Sequence, residues 1–258
     1  MSLAAAGARI KRPDLKILTL DIERLPGQAR LWSPRTQYVP PRDFLSWPRT
    51  TTIAWRWYGQ RRIEFAAEWE TDHATFIQKT WELYDQADVI YTFNGIRADN
   101  PWLKTEWLQL GLKPPLPWKD VDLYREMRAF GFESKSLDSV TKRLGRQGKV
   151  DRYDPDLMQA ALDGDVKAQK RVKRYNCGDV ELTEWLADYC RPWLKTHPFP
   201  RSLGDEKQCQ NCGSNDLELI QHKKWRAVVL DYPLYRCRDC GKPMRGGWEA
   251  RAANTRGV

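Results

Sequence analysis

Residues 16–23 constrain the fold of this chain more than any other stretch, because an apolar run there ends in two carboxylates. Its branched apolar residues, its short length and the turn residues Pro26 and Gly27 beyond it predict a buried strand. Side chains alternate along a strand, so Asp21 and Glu23 point to the same face. Two like charges placed side by side favour a divalent cation between them. The alternative is that both residues simply end the strand at the surface.

Composition and charge bound the class of protein. A chain of 258 residues with 41% hydrophobic content can form one sizeable domain and a small one. No apolar run approaches the about 20 residues of a membrane span, and the first residues lack the pattern of a signal peptide. We therefore expect no membrane partner. The net charge of +9 favours a polyanionic partner, nucleic acid first.

Two C-x-x-C-G pairs near the C-terminus predict a metal site. The candidate ligands are Cys209, Cys212, Cys237 and Cys240. In a chain without a secretory signal such pairs indicate metal binding rather than disulfides, and a cytoplasmic, intracellular location. Four thiolates would close the shell of one structural Zn²⁺. With strand-like residues at 217–220, 227–230 and 232–236, this segment resembles a zinc ribbon.

The order of the other predicted elements indicates an α/β domain. A hairpin at 51–58 and 62–67 precedes a helix around Phe76, a strand at 88–93 and a helix at 99–110. Ser136 and Asp154 begin further helices. The proline-rich residues 24–50 predict an irregular excursion near the mouth of any site. The predicted organisation is a flexible tail 1–13, a domain 14–195, a linker 196–206, a zinc ribbon 207–248 and a flexible tail 249–258.

Two more carboxylates follow in the chain. Asp99 begins a predicted helix after the Asn94-Gly95 turn. Asp179 lies on a late predicted helix, and Tyr175, four residues earlier, shares its face. Asp122, by contrast, is predicted to be a surface or capping residue.

Three ordered motifs, at residues 20–23, 91–103 and 175–179, resemble the DEDD exonucleases. These form the DnaQ-like branch of the ribonuclease H-like superfamily, which includes polymerase proofreading domains, those of family-B polymerases being the most similar. A tyrosine four residues before Asp179 is similar to the tyrosine (DEDDy) type. Ala98 departs from the pattern, because the family usually has an aromatic residue before its second aspartate.

The resemblance implies a ribonuclease H-like mixed sheet flanked by helices, and a 3′→5′ exonuclease that hydrolyses DNA. The implied chemistry uses two Mg²⁺ or Mn²⁺ ions, which activate a water and stabilise the leaving oxygen. Tyr175 would orient the water, since a phenol of pKa about 10 is a poor base at neutral pH. The implied ligands of the two ions are Asp21, Glu23, Asp99 and Asp179, with Asp21 as the bridging residue.

Basic and polar residues around these motifs are candidates for contact with substrate, which we expect to be single-stranded or frayed 3′ ends of DNA. They are Asn94, Lys170, Arg174, Lys223, Lys224 and Trp225. Phosphate contacts and base stacking would use such side chains. The alternative for Asn94 is that it only stabilises its turn, and the alternative for Lys170 and Arg174 is a solvated helix face. The alternative use of the ribbon is docking of a replication or repair protein.

Other functions remain compatible with the sequence. No residue reads a 2′-hydroxyl group, so an exoribonuclease is an alternative. A structure-specific endonuclease of the same fold is another, and the excursion at 24–50 would decide how open its site is. A non-catalytic nucleic-acid-binding module is disfavoured, because all four carboxylates and the tyrosine are present.

Overall fold

The structure is a computed structural model that describes residues 15–35, 38–149, 151–197, 207–226 and 231–247. The predicted tails, most of the predicted linker and the predicted strand at 227–230 lie outside these residues. The described part of the chain falls into two compact units, one from residue 15 to residue 187 and one from residue 188 onward.

The strands of the first unit are, in chain order, β1 (Ile17–Leu25), β2 (Gln28–Ala29), β3 (Phe44–Ser46), β4 (Arg49–Trp57), β5 (Glu64–Ala67), β6 (Val89–Thr92) and β7 (Lys119–Asp122). Five of them form one sheet in the order β5-β4-β1-β6-β7. The β1–β4 and β4–β5 pairs are antiparallel. The β1–β6 and β6–β7 pairs are parallel, so the sheet is mixed.

The helices of the described residues are α1 (His73–Gln86), α2 (Asp99–Gln109), α3 (Leu123–Met127), α4 (Leu137–Arg143), α5 (Pro155–Leu162) and α6 (Val166–Cys190). None of them is long and apolar enough to cross a bilayer. The mixed α/β class is confirmed, and so are the hairpin of β4 and β5 and the helix that begins at Asp99.

β1 lies in the middle of the sheet and is buried along most of its length. One of its faces contributes to the main core through Leu18, Leu20 and Ile22. Burial of one such side chain stabilises the fold by about 1.5–3 kcal/mol. Asp21 and Glu23, on the other face, are only half-buried. The buried strand therefore holds two carboxylates on the face opposite the main core.

Polar N-caps fix where several helices begin. Ser136 accepts a hydrogen bond from a backbone amide at the start of α4, and Asp154 does so for α5 with Pro155 in its first turn. Both predicted starts are confirmed. Asp122 caps α3 in the same way but is only 2% exposed. Of the two predicted roles of Asp122, surface or capping residue, the capping role is confirmed.

Residues 24–50, predicted to be irregular, contain two short strands in their described part. β2 pairs antiparallel with β3, and a 3₁₀ turn spans Pro41–Asp43. The pairing depends on Gly27, where a Cβ atom would lie 2.7 Å from the carbonyl oxygen of Ser46. Strands of two and three residues carry too little periodicity to be recognised in a sequence.

The second unit contains a three-stranded antiparallel sheet. Its strands, β8 (Leu217–Arg226), β9 (Asp231–Cys237) and β10 (Pro243–Arg245), are arranged in the order β10-β9-β8. The strands predicted at 217–220 and 232–236 are confirmed. A small core beside this sheet is made of four buried cysteines with Leu217 and Met244 packed against them.

Candidate active site

Three carboxylates meet at the exposed end of β1. Asp21 and Glu23 leave one face of the strand, and Asp179 comes from α6. Ligand oxygens of the three residues all lie within 4.8 Å of one another. The β4 residues opposite Asp21 and Glu23 are Ala54 and Thr52, whose small side chains suit the close approach of a helix. The predicted strand alternation thus places the first motif against the third.

Burial and mutual repulsion make this cluster electrostatically unfavourable in its ionised form. Burial raises the pKa of Asp21 well above its ordinary value, and the charges of Glu23 and Asp179 raise it further. Burial, followed by the charge of Asp179, raises the pKa of Glu23 to about 8. A bound cation would offset this repulsion, and oxygen donors are the ligands that hard divalent cations prefer.

Lys149 supplies a positive charge to the cluster. Its Nζ donates hydrogen bonds to Oδ2 of Asp179 at 2.5 Å and to the hydroxyl of Tyr175 at 3.1 Å. The pKa of Asp179 is raised by burial and lowered by Lys149. The backbone amide of Lys149 donates to Oδ1 of Asp138 at 2.8 Å, which fixes the segment. No local pattern marks Lys149 in the sequence beyond its place after Gly148 in a loop.

Asn176 fixes the orientation of Asp21. Its Nδ2 donates to Oδ2 of Asp21 at 2.6 Å and to the carbonyl oxygen of the same residue at 3.1 Å. Its Oδ1 accepts a hydrogen bond from Oγ1 of Thr52 at 3.1 Å. The side chain is fully buried. Asn176 lies within the third motif, but its contact with β1 could not be read from spacing.

Tyr175 borders the cluster one helical turn before Asp179. Burial raises the pKa of its phenol well above the ordinary value, and the charges of Asp179, Glu23 and Asp21 raise it further. The hydroxyl therefore keeps its proton throughout the neutral range and can donate a hydrogen bond. Its predicted task of orienting a water stays a prediction.

Asp99 begins α2 but does not belong to the group of three carboxylates whose oxygens lie within 4.8 Å. Burial, followed by the charge of Asp122, raises its pKa to about 7, and Arg24 lowers it. The charge of Asp99 still raises the pKa values of Asp21 and Glu23. Its predicted function as a metal ligand stays a prediction.

The side chain of Asp122 accepts the backbone hydrogen bonds that hold the turn before α2. Asn94 has a φ of 72°, in the left-handed region that asparagine tolerates. Its backbone amide donates to Oδ1 of Asp122 at 2.9 Å, and the amide of Ile96 donates to Oδ2 at 3.3 Å. These bonds give Asn94 a structural role in the turn. Its predicted contact with substrate stays a prediction.

The predicted basic contacts on α6 do not enter the carboxylate cluster. Lys170 is exposed, and the side chain of Arg174 is 66% exposed. Arg174 NH2 lies 3.9 Å from Oδ2 of Asp151, which also accepts a hydrogen bond from Arg171. Lys170 and Arg174, four residues apart, share one face of the helix.

Four cysteine sulfurs in the second unit form a closed group whose members all lie within 4.8 Å of one another. The Sγ atoms of Cys209 and Cys240 are 3.6 Å apart, and those of Cys212 and Cys237 are 3.7 Å apart. These distances exceed the about 2.05 Å of a disulfide bond. Asn211 donates its backbone amide to Cys209 at 3.4 Å and its Nδ2 to Cys240 at 3.3 Å.

The same hydrogen bonds favour the thiolate form of one ligand. Bonds from the thiol of Cys209 and, to a lesser degree, from the Asn211 side chain and the Lys242 amide lower the pKa of Cys240 to about 4. Thiolates are the form that binds metal, and N–H donors around them are typical of structural metal sites. The group therefore fits a tetrahedral ion with four sulfur ligands.

The predicted substrate contacts of the second unit lie on β8. Lys223 is exposed, and Trp225 is 54% exposed. Lys224 is paired in the sheet with Pro233, and Trp225 with Tyr232. The structure thus places an aromatic ring and basic side chains together near the end of β8. Their use in nucleic-acid binding stays a prediction.

Comparison with known proteins supports this geometry. A family model described as the RNase H superfamily matches residues 48–191, more than half of the chain. That range includes Asp99, Tyr175 and Asp179 but not the first motif. It agrees with the predicted ribonuclease H-like fold, which is confirmed. No curated protein matches the chain.

Similar solved structures include two proteins of which only a part matches this chain. One is the family B DNA polymerase from the hyperthermophilic archaeon Pyrobaculum calidifontis, with a TM-score of 0.52 and 22% identity over 70% of this chain and 25% of that one. Another is Trypanosoma brucei RNase D in complex with RNA U12, with a TM-score of 0.43 and 15% identity over 68% of this chain and 55% of that one. The chain spans a quarter of the polymerase and about half of RNase D. At 22% identity the likeness to the polymerase concerns the fold alone.

Proposed function

Because this chain belongs to the RNase H superfamily and gathers three carboxylates at one end of its central strand, we propose that it is a metal-dependent nuclease. In its finer form the proposal is a 3′→5′ exonuclease that hydrolyses the phosphodiester bonds of DNA. The observation that carries it is the approach of Asp179 to Asp21 and Glu23, with Tyr175 and Lys149 at the same place.

The donor set fits a pair of hard divalent cations. Asp21, Glu23 and Asp179 would hold them, and Asp99 would complete the set from the start of α2. Bound Mg²⁺ or Mn²⁺ would lower the pKa of the attacking water and offset the charge of the leaving oxygen. Carboxylates that resist ionisation without a cation are well suited to bind one.

The other side chains of the site position the reacting groups. Asn176 holds one oxygen of Asp21, so the plane of that carboxylate is set before any ligand arrives. Tyr175 keeps its proton and donates a hydrogen bond that orients the attacking water. The positive charge of Lys149 can stabilise the negative charge that develops on the scissile phosphate. The chain itself thus provides alignment and charge.

The expected substrate is a single-stranded or frayed 3′ end. The net charge of +9 favours a polyanion. Lys170 and Arg174 extend a basic face along α6, the same helix that carries Tyr175 and Asp179. We propose DNA rather than RNA as the substrate. The RNA strand in the test below checks the alternative.

For the second unit we propose one structural Zn²⁺ bound by the four cysteines, in the manner of a zinc ribbon. The four sulfurs would close its coordination, which leaves no position for a reacting water. We propose that Lys223, Lys224 and Trp225 on β8 grip the strand through phosphate contact and stacking. Docking of a replication or repair protein is the rival use of this surface.

A time course with 5′-labelled DNA and RNA strands of the same sequence tests the proposal. We expect Mg²⁺ or Mn²⁺ to produce a ladder that shortens from the 3′ end of the DNA, and Asp179→Asn to abolish it. Asp163→Asn, at the exposed end of α5, is the matched control and should cleave normally. A ladder only from RNA would change the substrate, internal cuts would indicate an endonuclease, and an unaffected Asp179→Asn would overturn the assigned site.

A further inference from the structure

A second concave site lies beside the carboxylate cluster, in the first unit. It is a cavity of about 550 Å³ between the β3–β4 connection, the start of α1 and the outer face of α2. A cavity of this size falls within the range of small-molecule sites. Its walls include Phe44, Trp47, Arg49, His73, Trp102 and Glu106. The proposed reaction uses none of these side chains.

Aromatic faces form much of the wall. The rings of Phe44 and Trp47 stack with centroids 4.4 Å apart and an interplanar angle of 15°. Trp47 is 59% exposed and Trp102 is 42% exposed. The guanidinium of Arg24 lies 3.6 Å from the centroid of the Trp102 ring. Exposed tryptophans around a cavity offer stacking surfaces to a planar ligand such as a nucleobase.

A buried carboxylate at the cavity has an unused acceptor. Oε1 of Glu106 accepts hydrogen bonds from the amide and the hydroxyl of Thr50, at 2.9 and 3.2 Å. Oε2 has no hydrogen-bond partner among the described residues, although the Glu106 side chain is only 9% exposed. Nε2 of His73 lies 3.8 Å from Oε2, beyond hydrogen-bond distance. A buried acceptor without a donor is costly, so a ligand that supplies donors would bind with a gain.

The position of the cavity relates it to the proposed cleavage site. Asp99 and Glu106 lie on α2 seven residues apart, which is about 10 Å along the helix axis. That distance corresponds to about three stacked nucleotides at 3.4 Å each. Arg24 directly follows Glu23 and interacts electrostatically with both Asp99 and Glu106. A strand whose end occupies the carboxylate cluster can therefore reach the cavity with a base a few nucleotides away.

We propose that this cavity binds one unpaired guanine of the substrate strand, an inference that rests on the proposed function. The base stacks on the exposed tryptophans, and its adjacent N1–H and N2–H groups donate to Oε2 of Glu106. Oε2 is covered from solvent, so the base reaches it only after a side chain of the cavity wall changes its rotamer. Thymine offers a single N–H between two carbonyl oxygens that the carboxylate repels.

Binding of oligothymidylate strands with one guanine, scanned from the 3′ end, tests the inference. Dissociation constants are measured with EDTA present, so that no strand is cleaved, and hypoxanthine at each position serves as the base without the 2-amino group. We expect one position at which guanine binds about tenfold tighter than hypoxanthine, the contribution of one hydrogen bond to a charged group. Glu106→Gln should remove this difference, whereas Glu82→Gln on the exposed face of α1 should preserve it.

The Glu106 carboxylate also accepts hydrogen bonds from Thr50, so Glu106→Gln could fail to fold. In that case a second variant still tests the inference. Trp47→Leu removes one stacking wall at an exposed position and should weaken binding of the strand with guanine at the preferred position by severalfold. Equal binding of guanine and hypoxanthine at every position overturns the inference, as does a full guanine preference in Glu106→Gln, an unchanged affinity in Trp47→Leu or failure to bind any strand. Cleavage with Mg²⁺ is scored separately. Loss of base preference in an active nuclease contradicts only the guanine site, and base preference without cleavage contradicts only the proposed function.

Discussion

Nδ2 of Asn176 lies 2.6 Å from Oδ2 of Asp21, so a residue of the third motif holds the first carboxylate of the first motif in place. The same amide accepts a hydrogen bond from Thr52 on the neighbouring strand. Orientation of Asp21 is therefore decided by a buried chain of polar contacts across α6, β1 and β4. The proposed chemistry depends on that orientation as much as on the carboxylates themselves.

Asn176→Ala should lower kcat about tenfold and weaken the apparent affinity for Mg²⁺, because Asp21 loses its fixed orientation. It should also lower the free energy of unfolding by about 1–3 kcal/mol, since Thr52 loses a buried partner. A titration of activity against Mg²⁺ separates the two effects. Thr52→Val, which removes only the outer contact, serves as the control, and an unchanged Mg²⁺ affinity in Asn176→Ala would contradict the positioning role.

Asp21→Ala should abolish cleavage and leave the fold intact. The loss should reach at least about a hundredfold, as for removal of one group that stabilises charge in a transition state. The midpoint of thermal unfolding should not fall, because the substitution removes one of the carboxylates that repel each other. Residual degradation near the wild-type rate would remove the two-metal hypothesis.

The metal-free protein should become less stable as the pH rises. Glu23 has an ordinary pKa of 4.5 and a pKa of about 8 in the folded protein, so the folded state binds more protons between these values. Stability from this group is complete below the lower value and is lost as the pH approaches the upper one, at up to about 1.4 kcal/mol per pH unit. Urea unfolding in EDTA at about pH 5 and about pH 8 measures the effect. Glu23→Gln should reduce this pH dependence but not abolish it, because the pKa values of Asp21 and Asp99 are raised as well, and added Mg²⁺ should restore stability at the higher pH.

Lys149→Met should reduce activity by about ten- to a hundredfold. The charge and hydrogen bond of Lys149 lower the pKa of Asp179, so their removal should move the acidic limb of the pH–rate profile to higher pH. Lys149→Arg should keep part of the activity and most of the profile. Lys113→Met, on an exposed loop, is the control for a general loss of charge. A normal pH profile in Lys149→Met would show that this contact is not used in the reaction.

Cys209→Ser combined with Cys240→Ser should release zinc, unfold the second unit and weaken binding of single-stranded DNA. Structural zinc sites commonly supply the folding free energy of small domains. Rates at saturating substrate should change little. Metal content, circular dichroism and binding constants check the three statements, and unchanged affinity with lost zinc would assign the ribbon to protein docking.

The sequence predicted the parts of this molecule that depend on local periodicity. Alternation along β1 placed Asp21 and Glu23 on one face, and helical spacing placed Tyr175 beside Asp179. Lys149 and Asn176 were missed because their contacts join residues far apart in the chain, and no local pattern encodes such a contact. The separation of Asp99 from the other three carboxylates depends equally on tertiary packing, where the charge of Arg24 favours its ionised form and the charge of Asp122 opposes it.

Gly148 has no side chain, yet the position of Lys149 depends on it. A Cβ atom at this residue would overlap with Oδ1 of Asp138, the oxygen that accepts the Lys149 amide, and with Cε of Lys142. Any other amino acid would therefore force the side chains of Asp138 and Lys142 to move, and Asp138 is the acceptor that holds the Lys149 amide. In a mutational scan scored by activity, Gly148 would rank with the residues of the cluster. A map of tolerated substitutions would therefore show that function requires this glycine as well as the charged groups.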